Sequence, residues 1–258
     1  MKKIHYTLQS IGLDFKKMTI FFKSLGWFFA NYRSFKKKNL DSSFQNYEFK
    51  FCLFDKNSSS GSIGDQYLYQ DIFVANKIFE NNPNKHVDVG SRIDGFISAV
   101  GSFREVEIFD IRPLDKFIHK NISFTELDFT LIPSSYYNYT DSISCLHTIE
   151  HVGLGRYGDN VDPTSYINFF NNLSLILNPG GKMYISTPIG KQKIVFNAHR
   201  VFGIETLLTL FSNKFKIISF SYMDDDLKFY NDIAIDQKII SICNNLNYGL
   251  SIFELEKI

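Results

Sequence analysis

From residue 86 onward, short apolar runs alternate with stretches of helical periodicity, and this alternation commits the chain to an α/β sheet. His86 to Gly90, Glu105 to Asp110, Ile122 to Glu126 and Asp141 to His147 read as the first four strands. Lys182 to Thr187 and Phe215 to Tyr222 follow as the fifth and sixth, with Tyr248 to Glu254 as a last strand. Between them the spacing predicts helices over Ile93 to Val100, after Pro113, over Pro163 to Leu177 and over Gly203 to Ser212. Pro163 suits a first turn, and Asn178-Pro179-Gly180-Gly181 is a stop. The acidic stretch from Asp224-Asp225-Asp226 reads as a solvated loop.

The N-terminal part has a different character. Residues 1–40 hold nine Lys and Arg against Asp14 alone, a local charge of +8 that leaves −7 for the rest of a chain of net charge +1. Within them Ile4, Leu8, Ile11, Phe15, Met18, Phe22, Leu25 and Phe29 recur at spacings of four and three, one apolar stripe on a helix. Gly12 and Gly26 allow either one helix or two shorter ones. Two readings of the stripe stand: it packs on this protein's own core or a partner helix, or it is a basic amphipathic anchor at an anionic membrane surface, with Trp27, Phe28 and Phe29 at the interface. Residues 57–64, Asn-Ser-Ser-Ser-Gly-Ser-Ile-Gly, mark the boundary, so residues 1–64 form an extension and linker and 65–258 the α/β domain. The helix Tyr67 to Glu80, stopped by Asn81-Asn82-Pro83, opens that domain.

Several classes fall away. A near-neutral chain is not a general nucleic-acid binder. Three widely separated cysteines, Cys52, Cys145 and Cys243, without a CxxC, exclude a disulfide framework or a cysteine zinc site and point to a reducing compartment. No run reaches the roughly 18 apolar residues of a membrane span, and Ile4 to Phe15 is too polar for a signal-peptide core. The expected location is cytoplasmic, with peripheral membrane contact through residues 1–40 under the second reading of the stripe.

The cofactor class turns on Val87-Asp88-Val89-Gly90-Ser91-Arg92-Ile93-Asp94-Gly95, a strand running through a glycine turn into a helix. A dinucleotide site wants G-x-G-x-x-G, but Arg92 fills the second glycine position. Asp88 at the strand end would repel a pyrophosphate and favour S-adenosylmethionine, which carries an ammonium and a sulfonium and no phosphate. Asp110 ends the second strand, where a carboxylate can accept ribose hydroxyls, and Asp128 follows the third, where an acid can meet an adenine amino group.

With Asp88-Val89-Gly90, Asp110, Leu127-Asp128-Phe129 and Asn178-Pro179-Gly180-Gly181 in this order, residues 86–222 resemble the class I S-adenosylmethionine-dependent methyltransferases. The resemblance implies a Rossmann-like three-layer sandwich whose seven-stranded, mostly parallel sheet has the order 3-2-1-4-5-7-6. It also implies a cofactor site of Asp88, Gly90, Ser91, Gly95, Asp110, Ile111, Asp128, Phe129 and Cys145. Val87 to Phe96, Phe103-Arg104-Glu105, Phe109 to Pro113, Cys145 to Tyr157 and Phe196 to Phe202 further resemble a bacterial family of unknown function found among surface-polysaccharide genes, which implies a sugar or glycan acceptor, methylated at oxygen.

The densest chemistry is His147-Thr148-Ile149-Glu150-His151. Formally it matches the H-x-x-E-H peptidase motif, but that motif needs a helix, and Gly153 and Gly155 follow at once. It resembles instead the Glu-x-x-Glu-His segment of metal-dependent O-methyltransferases, with His147 in place of the first Glu and His199 as a later partner. That implies a divalent-metal site of His147, Glu150, His151 and His199. A sugar hydroxyl is a weak nucleophile, so His151 or His199 is the expected base, with His147 and Glu150 as ligands or orienting groups. Gly153 to Gly158 should form a loop above the cleft, with Arg156, Tyr157, Asn197 and Arg200 on the acceptor, the two arginines clamping a phosphate or carboxylate. Tyr69, Gln70 and Asp71 could close over the cofactor. Two other functions fit the same pattern: a dinucleotide-dependent sugar-modifying enzyme, and a non-catalytic scaffold in which Arg92 blocks the turn.

Overall fold

Parallel strands covered on both faces need apolar side chains pointing both ways, and the central strands have them. The computed structural model describes residues 14–39, 47–54, 56, 66–114, 119–196 and 198–258. The chain divides into two compact units, Met1–Ile63 and Gly64–Ile258.

In the first unit, helix α1 (Phe15–Lys38) begins at Asp14, whose carboxylate accepts from the Lys17 amide at 3.0 Å, and ends on Lys36, Lys37 and Lys38, which suit the negative end of its dipole. It runs unbroken through Gly26. The rings gather toward the carboxyl half of the helix, where Phe29 of the expected stripe meets Phe49 and Phe51 at 6.3 and 6.4 Å. Phe28 meets Phe51 at 5.0 Å and Tyr32 meets Phe49 at 4.9 Å, whereas Phe15, Met18 and Phe22 of the expected stripe are 58%, 46% and 66% exposed. Ile4, Leu8 and Ile11 lie outside the described residues. No described helix is long and apolar enough to cross a membrane.

The second unit opens with α2 (Gln66–Asn81) and β1 (His86–Val89). After β1 comes a π-helical turn, Ile93–Ile97, bent at Gly95 and running into the single α-turn α3 (Ser98–Gly101), where one regular helix was expected. Next are β2 (Val106–Asp110), β3 (Ile122–Glu126) and β4 (Thr140–Leu146), then α4 (Ser165–Ile176) and β5 (Leu177–Ile189). Most of the helix expected after Pro113 falls on residues outside the description. A two-stranded ribbon of β6 (Lys193–Val195) and β7 (His199–Val201) precedes α5 (Ile204–Phe211) and β8 (Phe215–Met223). The acidic stretch is more than a solvated loop. It holds the short β9 (Phe229–Tyr230) and α6 (Gln237–Asn245), and Asp225 accepts the amides of Asn247 and Tyr248 at 2.8 and 2.9 Å, pinning the stretch to the start of β10 (Gly249–Lys257).

The sheet order is β3-β2-β1-β4-β5-β10-β8-β9, which is the expected order with an eighth short strand added at the edge. β1 to β5 are parallel, and β10 is antiparallel to both β5 and β8. One face packs on α2 and α3 through Val74, Ile78, Ile97, Val100, Val106 and Ile108. The other packs on α4 and α5 through Val87, Phe109, Ile143, Phe170, Leu173, Leu207 and Phe211. Helices on both faces leave the carboxyl ends of β1, β2, β3 and β4 open at one edge of the sandwich, the place where such sheets hold ligands.

Candidate active site

The site grows from the end of β1. The Asp88 side chain is fully buried and accepts three hydrogen bonds: from the Ser91 amide at 2.9 Å, the Ser91 hydroxyl at 2.8 Å and the Ser144 hydroxyl at 2.5 Å. This is a correction: the carboxylate does not face the crevice but braces the turn from beneath. Gly90 in that turn has φ +80°, and a Cβ there would come within 2.4 Å of Thr148 Cγ2, so both torsion and space require glycine. The network continues inward. Ser144 spends its proton on Asp88, so His86 Nε2 donates to Ser144 (3.1 Å) and His86 Nδ1 accepts from Ser142 (2.8 Å). Burial drives the His86 pKa down to about 3 and the Asp88 pKa up to about 7, the latter partly offset by the serine hydrogen bonds.

Above the turn lies a crevice of about 760 Å³, lined by Gly90, Ser91, Gly95, Asp110, Ile111, Asp128 and Phe129 of the expected cofactor residues. Asp110 ends β2, and Arg112 holds it through its amide (2.8 Å), Nε (2.9 Å) and Nη2 (2.5 Å). Two carboxylate oxygens offer about four acceptor positions, so three donors leave one for a hydroxyl. Asp128 turns one oxygen to the Thr130 amide and hydroxyl, at 2.8 and 2.7 Å. Phe109, Phe129 and Phe169 form an apolar wall, with ring centroids 5.5 and 5.8 Å apart in sequence. Cys145 is another correction. It faces the opposite side of β4 from Ser144, inside the core, where burial pushes its thiol well above the usual range. Arg92 does not block the turn; its side chain is 79% exposed and forked onto Asp94. Gln70 and Asp71 line the crevice together with Tyr67, whereas Tyr69 does not.

At the end of β4, His147 adopts φ +50° and its Nδ1 meets Glu150 Oε1 at 2.8 Å, both side chains being almost wholly buried. His151 lines the crevice. Its Nδ1 donates to the Ala198 carbonyl at 2.6 Å, which leaves Nε2 as the acceptor, 3.8 Å from Glu150 Oε1. Burial holds the His151 pKa below its ordinary value, and the Arg156 charge adds to this. His199 also lines the crevice, against Tyr248 at 5.0 Å and 6.5 Å from the His151 ring. Only His147 Nε2 and Glu150 Oε2 are buried polar side-chain atoms without a partner among the described residues. No three His, Cys, Asp or Glu side chains among those residues converge on a metal position. The expected four-residue metal set therefore does not fit.

The loop over the crevice is organised by Asp159, which accepts the amides of Gly153 (2.7 Å), Gly155 (3.3 Å) and Tyr157 (3.2 Å). It presents Arg156 and Tyr157 to the crevice, as expected. Arg200 is corrected: it is buried, donating to the carbonyls of Val152 (2.6 Å) and Pro163 (3.1 Å) and stacking on Tyr166, so it braces the loop instead of clamping an acceptor. Asn197 lies outside the described residues. Sequence reasoning missed Arg112, Thr148 and Tyr248 as lining residues; the spacing of two between Asp110 and Arg112 was the only available signal.

Among solved structures the chain is similar to a protein of Galdieria sulphuraria assigned as a sarcosine dimethylglycine methyltransferase, at 13% identity and TM-score 0.51, over 73% of this chain and 85% of that one. It is also similar to the N-methyltransferase NodS of Bradyrhizobium japonicum WM9 in complex with S-adenosyl-L-homocysteine, at 10% identity and TM-score 0.49, over 76% and 90%. A third is the 1,6-didemethyltoxoflavin-N1-methyltransferase of Burkholderia thailandensis with S-adenosylhomocysteine bound, at 11% identity and TM-score 0.49, over 74% and 79%. At these identities the likeness concerns the fold, which is the Rossmann-like fold of class I methyltransferases. No curated protein matches the sequence. Residues 97–243 match the family model described as "Caenorhabditis protein of unknown function, DUF268".

The buried Asp88–His86 pair makes a pH prediction. Asp88, with its folded pKa raised, contributes stability present below pH 3.8 and lost as pH rises to about 7, on the order of 4 kcal/mol at about 1.4 kcal/mol per pH unit. His86, with its folded pKa lowered, contributes stability present above pH 6.5 and lost as pH falls toward 3. Between pH 4 and 6.5 the two slopes oppose each other. Urea unfolding of Asp88→Asn across this window should show stability rising with pH more steeply than in the wild type; parallel curves would mean that the Asp88 carboxylate is not held as described.

Proposed function

The chain belongs to the family described as "Caenorhabditis protein of unknown function, DUF268", and we propose that it is an S-adenosylmethionine-dependent methyltransferase acting on a hydroxyl of a sugar or surface-polysaccharide intermediate. The observation that carries this reading is the pair of carboxylates, Asp110 and Asp128, set on successive strand ends beside the Gly90 turn in one crevice. Although Asp88 turns inward, the crevice itself is acidic: among its described lining residues, five aspartates stand against three arginines. On the side of the turn Arg92 and Arg112 offset Asp94 and Asp110, and Asp71 and Asp128 add two further carboxylates, an environment suited to a cationic nucleoside and costly for a pyrophosphate.

The residues fit the cofactor. Gly90 and Ser91 would carry its amino-acid end, Asp110 a ribose hydroxyl, and Asp128 with Phe129 the adenine. When bound, the cofactor supplies a methyl group on a sulfonium, a good leaving group, so the chain's task is to align and deprotonate the acceptor. His151 would perform the deprotonation. Its Nδ1 proton is committed to Ala198, its Nε2 is free to accept from a hydroxyl, and its lowered pKa keeps it neutral near pH 7. Glu150, held by His147, stands 3.8 Å away to stabilise the imidazolium that results.

Calorimetric titration with S-adenosylhomocysteine should show binding to the wild type, weakened about tenfold or more in Asp110→Ala, since hydrogen bonds to a carboxylate contribute about 1.5–3 kcal/mol. Equal affinity in the two proteins, or binding of NAD in place of the nucleoside, would contradict the reading. His151→Gln should lower methyl transfer to a panel of sugar nucleotides by about 10²–10⁴ without changing affinity for S-adenosylhomocysteine.

We further propose that α1 rests on an anionic membrane surface. Its exposed Phe15, Met18 and Phe22 offer apolar area, and Lys16, Lys17, Lys23 and Arg33 stand on the same helix to meet anionic headgroups. Co-sedimentation with phosphatidylglycerol vesicles at low salt should recover the wild type with the lipid and leave Phe22→Asp largely in the supernatant; a wild type that stays in the supernatant rules the anchor out.

A further inference from the structure

The arginines of the crevice differ in what they are paired with. Arg92 is forked onto Asp94, and Arg112 is held by both oxygens of Asp110. Arg156 has no carboxylate within 4 Å among the described residues. Its Nη1 donates to the Ala198 carbonyl at 2.9 Å. A guanidinium has five N–H donors in a planar fork, so most of this fork remains to be used. The group is nonetheless held in place, since its Cζ lies 5.0 Å from the Tyr157 ring and the carbonyl bond fixes one end.

Its surroundings concentrate positive charge. Arg112 Cζ lies 4.7 Å from the same Tyr157 ring, so two guanidinium groups share one aromatic side chain and only one of them has a carboxylate partner. The nearest acid in the loop, Asp159, has its oxygens turned to the amides of Gly153, Gly155 and Tyr157. Arg200, beside His199 on β7, is spent on carbonyls. Arg156 Nη1 also lies 3.4 Å from His151 Nδ1, and both donate to the same carbonyl. The crevice is thus divided by charge: carboxylates around the Gly90 turn, and an uncompensated cation beside the histidines.

We infer that the acceptor carries an anionic group, a phosphate or a carboxylate, bound by the Arg156 fork next to His151. Only the name acceptor depends on the methyltransferase reading; the anion site stands on its own geometry. An anion there would place an attached sugar hydroxyl within reach of the imidazole, making Arg156 a positioning and specificity residue for the acceptor. A phosphorylated sugar and an acidic sugar share this chemistry, and two probes separate them.

The test is calorimetric titration of the full chain, without cofactor, with inorganic pyrophosphate and separately with glucuronate. At least one probe should bind the wild type, with affinity falling tenfold or more in Arg156→Ala and by a smaller factor in Arg156→Lys, which keeps the charge but loses the fork. Matching near-ultraviolet circular dichroism of the variants shows that the fold is retained; should Arg156→Ala misfold, Arg156→Lys and Arg156→Gln decide, the glutamine variant losing more affinity than the lysine. Absence of binding by both probes, or equal binding by wild type and variants, overturns the inference. If the wild type binds pyrophosphate through Arg156 but does not bind S-adenosylhomocysteine, the anion site holds and the methyltransferase reading fails.

Discussion

The carboxylate of Asp88 ties together everything that makes the crevice. It is buried at the end of β1, receives the amide and hydroxyl of Ser91 and the hydroxyl of Ser144, and so joins the glycine turn to β4, the next strand of the sheet. The turn can then take a positive torsion at Gly90 and pass against Thr148 without a side chain in the way. A buried carboxylate is costly unless its oxygens are satisfied. Here three donors satisfy them, and His86 extends the network one layer deeper. The side chain thus shapes the crevice without lining it.

Two further interactions set the opposite wall. Asp159 gathers three loop amides and Arg200 ties the loop to carbonyls on two sides, so the segment that presents Arg156 and Tyr157 is internally braced. Ala198, at the ribbon between β6 and β7, accepts from both His151 and Arg156 and thereby fixes the imidazole's tautomer and the guanidinium's position with one carbonyl. The crevice therefore has carboxylates around the Gly90 turn and Arg156 beside the histidines on the opposite wall.

What was legible in the sequence is what depends on local period. The strands β1 to β5, β8 and β10 carry apolar residues at alternate or successive positions between turn residues, and their order followed from a family likeness. The placement of Asp110 and Asp128 at strand ends followed as well, since a strand end is a local feature. What the sequence concealed depends on partners far along the chain. Asp88 turns inward because Ser144, 56 residues later, is there to meet it, and the two-residue period of β4 then sends Cys145 into the core instead. Arg200 reads as a surface clamp until Val152 and Pro163 converge on it. The short β6, β7 and β9 are below the length at which alternation is visible, and α6 hides in a polar stretch although Asp236 caps it through the Ile239 amide. In α1, aromatic residues surround so much of the helix that Phe28 and Tyr32, outside the expected stripe, meet Phe51 and Phe49 alongside Phe29 within it.

We propose that the turn braced by Asp88 receives a phosphate-free nucleoside. The most direct measurement is a crystal structure of the protein grown with saturating S-adenosylhomocysteine. Density for the amino-acid end against Gly90 and Ser91, ribose beside Asp110 and adenine between Asp128 and Phe129 is the predicted result. A crevice without nucleoside density, or with the ligand bound away from the Gly90 turn, would contradict it.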